Sequence, residues 1–173
     1  MPKRKSNIDT STMINVADIE TSDLEYKDEV IASLNEAENY LMGFDWCVKI
    51  IDGWIAASFG YILNIFLFRV QVYGKPSKNN FFWIIVGDIP PAYFDVASTP
   101  TKYDALKAYI NVMQDWVDNV NGGNSLELCY PVNVPPEKKY ADMLDIRLQL
   151  LREDYLPLIQ RTAIIEQYGD PYS

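Results

Sequence analysis

A chain of 173 residues, with 49% hydrophobic and 23% charged residues, fits one globular domain and is too apolar for a disordered protein. Its 24 acidic and 15 basic residues give a formal charge of -9, which repels phosphates and anionic lipids, so neither nucleic acid nor a membrane is an expected partner. The absence of histidine excludes hydrolases with an imidazole base and metal sites with histidine ligands.

The start of the chain predicts a leader and a cytoplasmic location. Residues 1–22 are polar and aperiodic, which predicts a flexible leader before a single domain of residues 23–173. No apolar segment follows the basic residues near the N-terminus, so they do not form a secretory signal. Without such a signal, Cys47 and Cys129 are typical of reduced thiols in a cytoplasmic protein.

The first predicted helix covers residues 23–42. Ser22 and Glu25 have the spacing of a capping box, and apolar residues recur at helical spacing from Val30 to Leu41. Gly43 then ends the helix.

The part of the chain that follows the first helix is rich in Ile, Val, Phe, Tyr and Trp, a composition that is typical of β-strands. It predicts antiparallel strands over residues 48–57 and 61–73 and a third strand over 81–87. The second of these is apolar at nearly every position, which predicts a central strand covered on both faces. The double proline at 90–91 is expected to end the third strand, and residues 92–96 to add a short edge strand.

The last third of the chain is helical in pattern. Thr99 as cap and Pro100 as first helical residue begin a second helix that ends near residue 123. A third helix runs from residue 135 to about residue 155, and Pro157 is expected to separate it from a short helix over 158–168. The order predicts an α+β fold: an antiparallel sheet of three to four strands, packed with an N-terminal helix and two to three C-terminal helices.

Two segments are candidate binding sites. In the first, Asp88, Pro90, Pro91 and Tyr93 follow Gly87, where the backbone could bend or approach a ligand closely. The alternative is that Asp88 caps a turn and the prolines only terminate a strand.

The second segment combines acidic and aromatic residues, namely Asp45, Trp46, Asp52 and Trp54. Such residues can form a recognition surface, because tryptophan anchors many binding sites. The alternative is a pair of core tryptophans with solvated carboxylates between them.

Motifs for other chemistries are missing from the sequence. It has no glycine-rich nucleotide loop, no Cys-x-x-Cys pair and no Gly-x-Ser-x-Gly motif. No cofactor, no metal ligand set and no catalytic residue are therefore predicted.

The segments Gly-Asp-Ile-Pro-Pro at 87–91 and Pro-Val-Asn-Val-Pro-Pro at 131–136 carry a resemblance to an uncharacterised bacterial protein family, a domain of unknown function. The resemblance covers roughly residues 36–155 and includes Glu-Asn-Tyr-Leu at 38–41. It implies a bacterial source and no particular catalytic residue.

These observations favour a cytoplasmic, non-catalytic protein-binding module. Its partner could be a basic protein, and one version is an immunity-type inhibitor of a basic toxin, guided by electrostatic attraction. The alternative is a small-ligand or divalent-cation-binding protein or enzyme that uses Asp45, Asp52 and Asp88, with Tyr93 orienting the ligand. A homodimer formed by exposed apolar faces of the last helices is a third possibility.

Overall fold

The computed structural model describes the backbone of residues 8–168 and the side chains of residues 8–162. Within them, five strands and four α-helices form the fold. The strands are β1 (Ile14–Asn15), β2 (Cys47–Phe59), β3 (Leu63–Val72), β4 (Asn80–Gly87) and β5 (Ile89–Asp95). The helices are α1 (Lys27–Met42), α2 (Lys102–Gly122), α3 (Lys138–Leu150) and α4 (Leu156–Tyr168).

The sheet is an antiparallel meander in which each strand pairs with the next along the chain. The predicted α+β class and the antiparallel sheet are therefore confirmed. The sheet has five strands, one more than the upper prediction, because the two-residue strand β1 pairs with β2 through Ile14 and Ile55.

Two hydrophobic cores lie on opposite faces of this sheet. Along β3, Leu63, Ile65 and Leu67 point into the core beneath α2, α3 and α4, because alternate residues of a strand face opposite sides. Phe66 and Phe68 point into the second core, beneath α1. Strand β3 is thus buried on both faces, as its continuous apolar run predicts.

The segment predicted as a flexible leader contains ordered structure. After β1, Val16–Thr21 form a 3-10 helix whose Ile19 is buried in the core beneath α1. Residues 14–21 therefore belong to the folded domain, and the predicted boundary at residue 22 does not coincide with the structure. Residues 1–7 of the predicted leader lie outside the described residues.

The starts of three helices differ from the prediction, and α3 begins at Lys138 rather than at residue 135. Helix α1 begins at Lys27 rather than residue 23, and the predicted capping pair at its start does not cap it. The Ser22 hydroxyl instead donates to the Ile19 carbonyl oxygen at 2.6 Å, which closes the preceding 3-10 helix.

Helix α2 begins at Lys102, so its cap is Thr101 rather than Thr99, and Pro100 lies before the helix. Thr101 forms a capping box with Asp104, in which each side chain accepts a hydrogen bond from the backbone amide of the other residue.

Two predictions about prolines are wrong. Strand β5 begins at Ile89 and includes Pro90 and Pro91, so the double proline does not end the sheet there. It is tolerated because β5 is the edge strand, where one row of backbone groups needs no ladder partner. Pro157 does not break the third helix either: a π-helical segment, Leu151–Tyr155, joins α3 to α4 and widens the helix just before the proline ring.

One fully buried polar side chain, Asn64 at the start of β3, connects α1 to the sheet. Its amide nitrogen donates to the Ser33 hydroxyl of α1 at 3.0 Å and to the Gly60 carbonyl oxygen at 2.8 Å. Its amide oxygen accepts from the Ser58 hydroxyl at 2.6 Å. The network satisfies the buried amide completely and fixes the position of α1 over the β2–β3 hairpin.

Candidate functional site

A groove of about 350 Å³ opens between the β4–β5 turn, α2, α3 and the connector after α2. Its walls are mostly apolar. The lining residues are Gly87, Asp88, Ile89, Pro90, Trp116, Val134, Tyr140, Met143, Leu144 and Arg147. The two segments that carry the family resemblance thus meet here, one through Gly87 to Pro90 and the other through Val134.

Gly87 shapes the turn that forms one wall of the groove. Its φ is 149°, and a Cβ at this position would lie 2.2 Å from the Ile62 carbonyl oxygen. The next amide, from Asp88, donates to that same oxygen at 3.2 Å. Gly87 therefore allows a close approach of the chain's own backbone at the start of β3, and no ligand is needed to explain the glycine.

The polar edge of the groove is an ion pair between two distant segments. The Arg147 guanidinium of α3 binds the Asp88 carboxylate through Nη2 at 2.9 Å and Nε at 3.0 Å. The same Nε donates to the Asp88 carbonyl oxygen at 2.7 Å. The pair holds α3 against the β4–β5 turn, and the groove combines apolar walls with one carboxylate already matched by one cation.

The three acidic side chains predicted as a possible ligand set do not converge. Asp45 precedes the start of β2, opposite the end of β3, whereas Asp88 follows the end of β4, opposite the start of β3. They are therefore separated by about the length of ten-residue β3, or roughly 30 Å. Asp52 lies within β2 and forms an ion pair with Arg69 of β3. No single ligand could bind all three.

The predicted aromatic residues divide between the two cores. Trp46 and Tyr93 come together in an aromatic cluster beneath α1, with ring centroids 5.1 Å apart. Trp54 packs on the other face, with its ring centroid 6.3 Å from that of Phe81. Both tryptophans are half-buried, which agrees with the alternative of tryptophans that pack into the core.

The outer edge of β5, where Pro91 lies, is covered by tyrosine hydroxyls. The Tyr93 amide donates to the Tyr130 hydroxyl at 3.1 Å, and that hydroxyl lies 3.2 Å from the hydroxyl of Tyr40. Tyr109 donates to the Pro90 carbonyl oxygen at 2.7 Å. Burial raises the pKa of the Tyr40 and Tyr109 hydroxyls, so these groups remain protonated donors. The Tyr130 and Tyr109 hydroxyls thus bind backbone groups of β5 that an exposed edge strand would offer to another chain, and the Tyr40 hydroxyl binds that of Tyr130.

Two further kinds of site find no support in the described part of the chain, which includes side chains up to residue 162. No group of three or more cysteine and carboxylate side chains there is arranged to hold a metal ion. In the same part of the chain, none of the helices combines the length and apolar character needed to cross a bilayer.

The strongest electrostatic feature lies on the side of the sheet covered by α1. Residues 14–45 contain nine acidic residues and one basic residue, Lys27, whereas residues 102–161 on the other side contain nine acidic and seven basic residues. We call the exposed acidic side chains of the first segment the acidic face. They are Asp18, Glu20, Asp23, Glu25, Asp28, Glu36 and Asp45. Among the described residues, none of them forms an ion pair.

Sequence reasoning missed two residues of these surfaces. Tyr26, within the acidic face, is 64% exposed and has a left-handed φ of 57°, which is uncommon for a bulky side chain. Arg147 is separated by 59 residues from its partner Asp88, so no local pattern relates them. The crowding of acidic residues around Tyr26 is visible in the sequence and would have indicated the first.

Glu36 and Glu38 of α1 yield a prediction for pH dependence. Partial burial of these side chains raises the pKa of both carboxyls in the folded protein, so their ionisation opposes folding. This cost is absent at low pH and appears as the pH rises from the pKa of the unfolded chain through the raised pKa of the folded protein. The variant with Glu36→Gln and Glu38→Gln is expected to be more stable than the wild type at pH 7, by up to about 0.5 kcal/mol.

Urea unfolding of the two proteins at several pH values measures this difference. The advantage of the variant is expected to vanish below about pH 3, where both carboxyls are protonated in the folded and in the unfolded state. An advantage that is the same at pH 7 and at low pH would contradict the assigned cause.

Comparison of the chain with protein-family models, curated proteins and solved structures found no match, so the family resemblance of its two proline-rich segments remains a prediction.

Proposed function

We propose that the chain is a non-catalytic, cytoplasmic protein-binding module that docks a basic partner protein through the acidic face. The observation that carries the proposal is the segregation of charge: seven exposed carboxylates, none of them in an ion pair with a described residue, lie on the α1 side of the sheet. A field of one sign attracts a partner of opposite charge and speeds its association.

An aromatic anchor lies within this face. In the chain Tyr26 follows Glu25 and precedes Lys27 and Asp28, and its side chain is largely exposed. Tyrosine is enriched among the residues that dominate binding energies, and a charged rim around it favours the correct partner. We therefore assign Tyr26 to the centre of the contact and the carboxylates to its rim.

An immunity-type inhibitor is the specific form that we favour. Such a protein must bind a basic toxin rapidly and needs no chemistry of its own. A strongly acidic exterior and an ion-paired Asp88 suit that task better than catalysis.

Capture from lysate of the native host cell tests the proposal with three immobilised proteins: the wild type, an acidic-face variant and a control. The first variant carries Asp23→Asn, Glu25→Gln, Asp28→Asn and Glu36→Gln. The control loses the same four charges on the other side of the sheet, through Asp115→Asn, Asp118→Asn, Glu127→Gln and Asp142→Asn.

A basic protein captured by the wild type and the control, and at least about tenfold less by the acidic-face variant, is the expected result. Growth inhibition by that partner in cells without this chain would support the immunity form. Equal capture by the two variants would contradict the assignment of the surface, and the lack of any captured partner would contradict the function.

The groove supports a second candidate, the binding of a small apolar ligand. Its volume and apolar walls resemble those of ligand pockets, with Asp88 and Arg147 as the polar edge. A thermal-shift screen with metabolites would reveal such a ligand as an increase in Tm. Trp116→Ala serves as the variant in which the increase should disappear, provided that circular dichroism shows it to be folded.

A further inference from the structure

The groove between α2, α3 and the β4–β5 turn has a closed floor and an open rim. Its most buried lining residues, Trp116, Leu144 and Ile89, are 3%, 4% and 8% exposed and form the floor. Asp88 and Met143 are exposed at the rim. A concave site of this shape is suited to enclose a small molecule rather than to meet the broad surface of another protein.

Trp116 contributes a polar group that the fold leaves without a partner. Among the described residues, no acceptor receives a hydrogen bond from its indole nitrogen, whereas the similarly buried Trp83 donates to the Thr99 carbonyl oxygen at 2.7 Å. No fully buried side-chain nitrogen or oxygen of the described residues lacks a partner, so the small exposed part of Trp116 includes this N–H group. Because Trp116 lines the groove, its indole N–H is available there to a ligand.

This free donor at the floor of an apolar groove selects for a ligand with a matching acceptor. A purely apolar molecule would exclude water from the indole N–H of Trp116 and leave it without a hydrogen bond, which costs free energy. A molecule that places a carbonyl oxygen or a ring nitrogen at this position forms the bond instead. The best ligand is therefore mainly apolar and carries one hydrogen-bond acceptor.

The ion pair at the rim disfavours a charged ligand. All three guanidinium nitrogens of Arg147 are engaged: Nε and Nη2 bind Asp88, and Nη1 donates to the Met143 carbonyl oxygen at 3.2 Å. A carboxylate ligand would have to displace Asp88 from Arg147, and an ammonium ligand would have to displace Arg147 from Asp88. Since each charge is already matched by the other, the groove favours a neutral molecule.

The walls of the groove favour an aromatic ligand. Trp116 and Tyr140 contribute rings, and Met143 contributes a thioether. Aromatic rings and sulfur atoms form favourable edge and face contacts with a ligand ring, in addition to the burial of apolar area. The volume of about 350 Å³ is near the lower end of the range of ligand pockets, which limits the ligand to a small ring system.

We propose that the groove binds a small, neutral aromatic molecule whose hydrogen-bond acceptor receives the indole N–H of Trp116. The inference rests on the second candidate function above, the binding of a small apolar ligand, and adds the chemistry that selects this ligand. It does not depend on the acidic face, which lies on the other side of the sheet.

Heteronuclear NMR of the full chain tests the proposal with three probes of similar size: acetophenone, ethylbenzene and benzoate. Acetophenone combines a neutral ring with an acceptor, ethylbenzene lacks the acceptor, and benzoate adds a negative charge. The Kd of acetophenone is expected to be at least about fivefold lower than that of either other probe. Acetophenone should also shift the indole N–H signal of Trp116, while the signal of Trp83, which already has an acceptor, serves as the internal control.

Two kinds of result would overturn the proposal in different ways. Equal affinities for acetophenone and ethylbenzene, or tighter binding of benzoate, would refute the ligand chemistry but retain the groove as a site for apolar ligands. If no probe shifted the signals of residues that line the groove, the ligand chemistry and the second candidate function would both be wrong.

Asp88→Ala tests the role of the ion pair, because it frees the Arg147 guanidinium for an anionic ligand. Benzoate should then bind at least about fivefold more tightly than to the wild type, whereas the affinity for acetophenone should change little. Asp142→Ala is the matched control, since it removes an exposed, ion-paired carboxylate of α3 that does not line the groove. A benzoate affinity that is the same in both variants would overturn the preference for neutral ligands.

Discussion

Replacement of Gly87 by alanine is expected to destabilise the protein by about 3 kcal/mol or more, because strain and a steric clash add. The new Cβ would lie 2.2 Å from the Ile62 carbonyl oxygen and 2.7 Å from its carbonyl carbon. Both are backbone atoms at the start of β3, so no side chain can rotate away to relieve the contact. Urea or thermal unfolding measures the loss.

Gly74→Ala is the matched control for this substitution. Gly74 also has a positive φ, of 74°, but a Cβ there would meet no atom within 4 Å. Its cost is therefore the backbone strain alone, about 1 kcal/mol. If both variants lost the same free energy of unfolding, the close approach of Gly87 to the Ile62 carbonyl group would not be the reason why this position requires glycine.

Asn64→Ala is expected to cost about 2–4 kcal/mol, because it removes the centre of a buried hydrogen-bond network. The Ser33 hydroxyl, the Ser58 hydroxyl and the Gly60 carbonyl oxygen would each lose their bond to the amide. A cavity would remain beneath α1. We expect faster hydrogen exchange in α1 as well, since this network fixes the helix on the sheet.

Asn35→Ala provides the control within the same helix. Asn35 is exposed on α1, and its replacement is expected to change the free energy of unfolding by no more than about 0.5 kcal/mol. A loss for Asn64→Ala in that same range would contradict the role of the buried amide.

Local sequence patterns predicted the strands and helices in which the residues of one face are all buried in the same core. The apolar run of β3 indicated a strand covered on both faces, and α1 faces the core with side chains of the stripe predicted from Val30 to Leu41. Prolines were less informative, because their effect depends on neighbours that are distant in the chain. Pro91 is tolerated at the sheet edge, and the π-helical segment accommodates Pro157.

The candidate surfaces were predictable only in part, for the same reason. The density of acidic residues before residue 45 is a property of the sequence, but its restriction to one face depends on how α1 packs. The groove at Asp88 depends on Arg147, which only the tertiary fold brings near. Conversely, Trp46 and Trp54 face opposite cores, so their nearness in sequence predicted no shared site.

The central claim, that the acidic face is the binding surface, is tested most directly by the rate of association with the captured partner at increasing salt. We expect the rate for the wild type and for the control variant to fall steeply between low and physiological ionic strength, because screening weakens long-range attraction. The acidic-face variant should associate more slowly at low salt and depend less on salt. Identical salt dependence for the two four-charge variants would show that the partner responds to net charge alone, and the claim would be wrong.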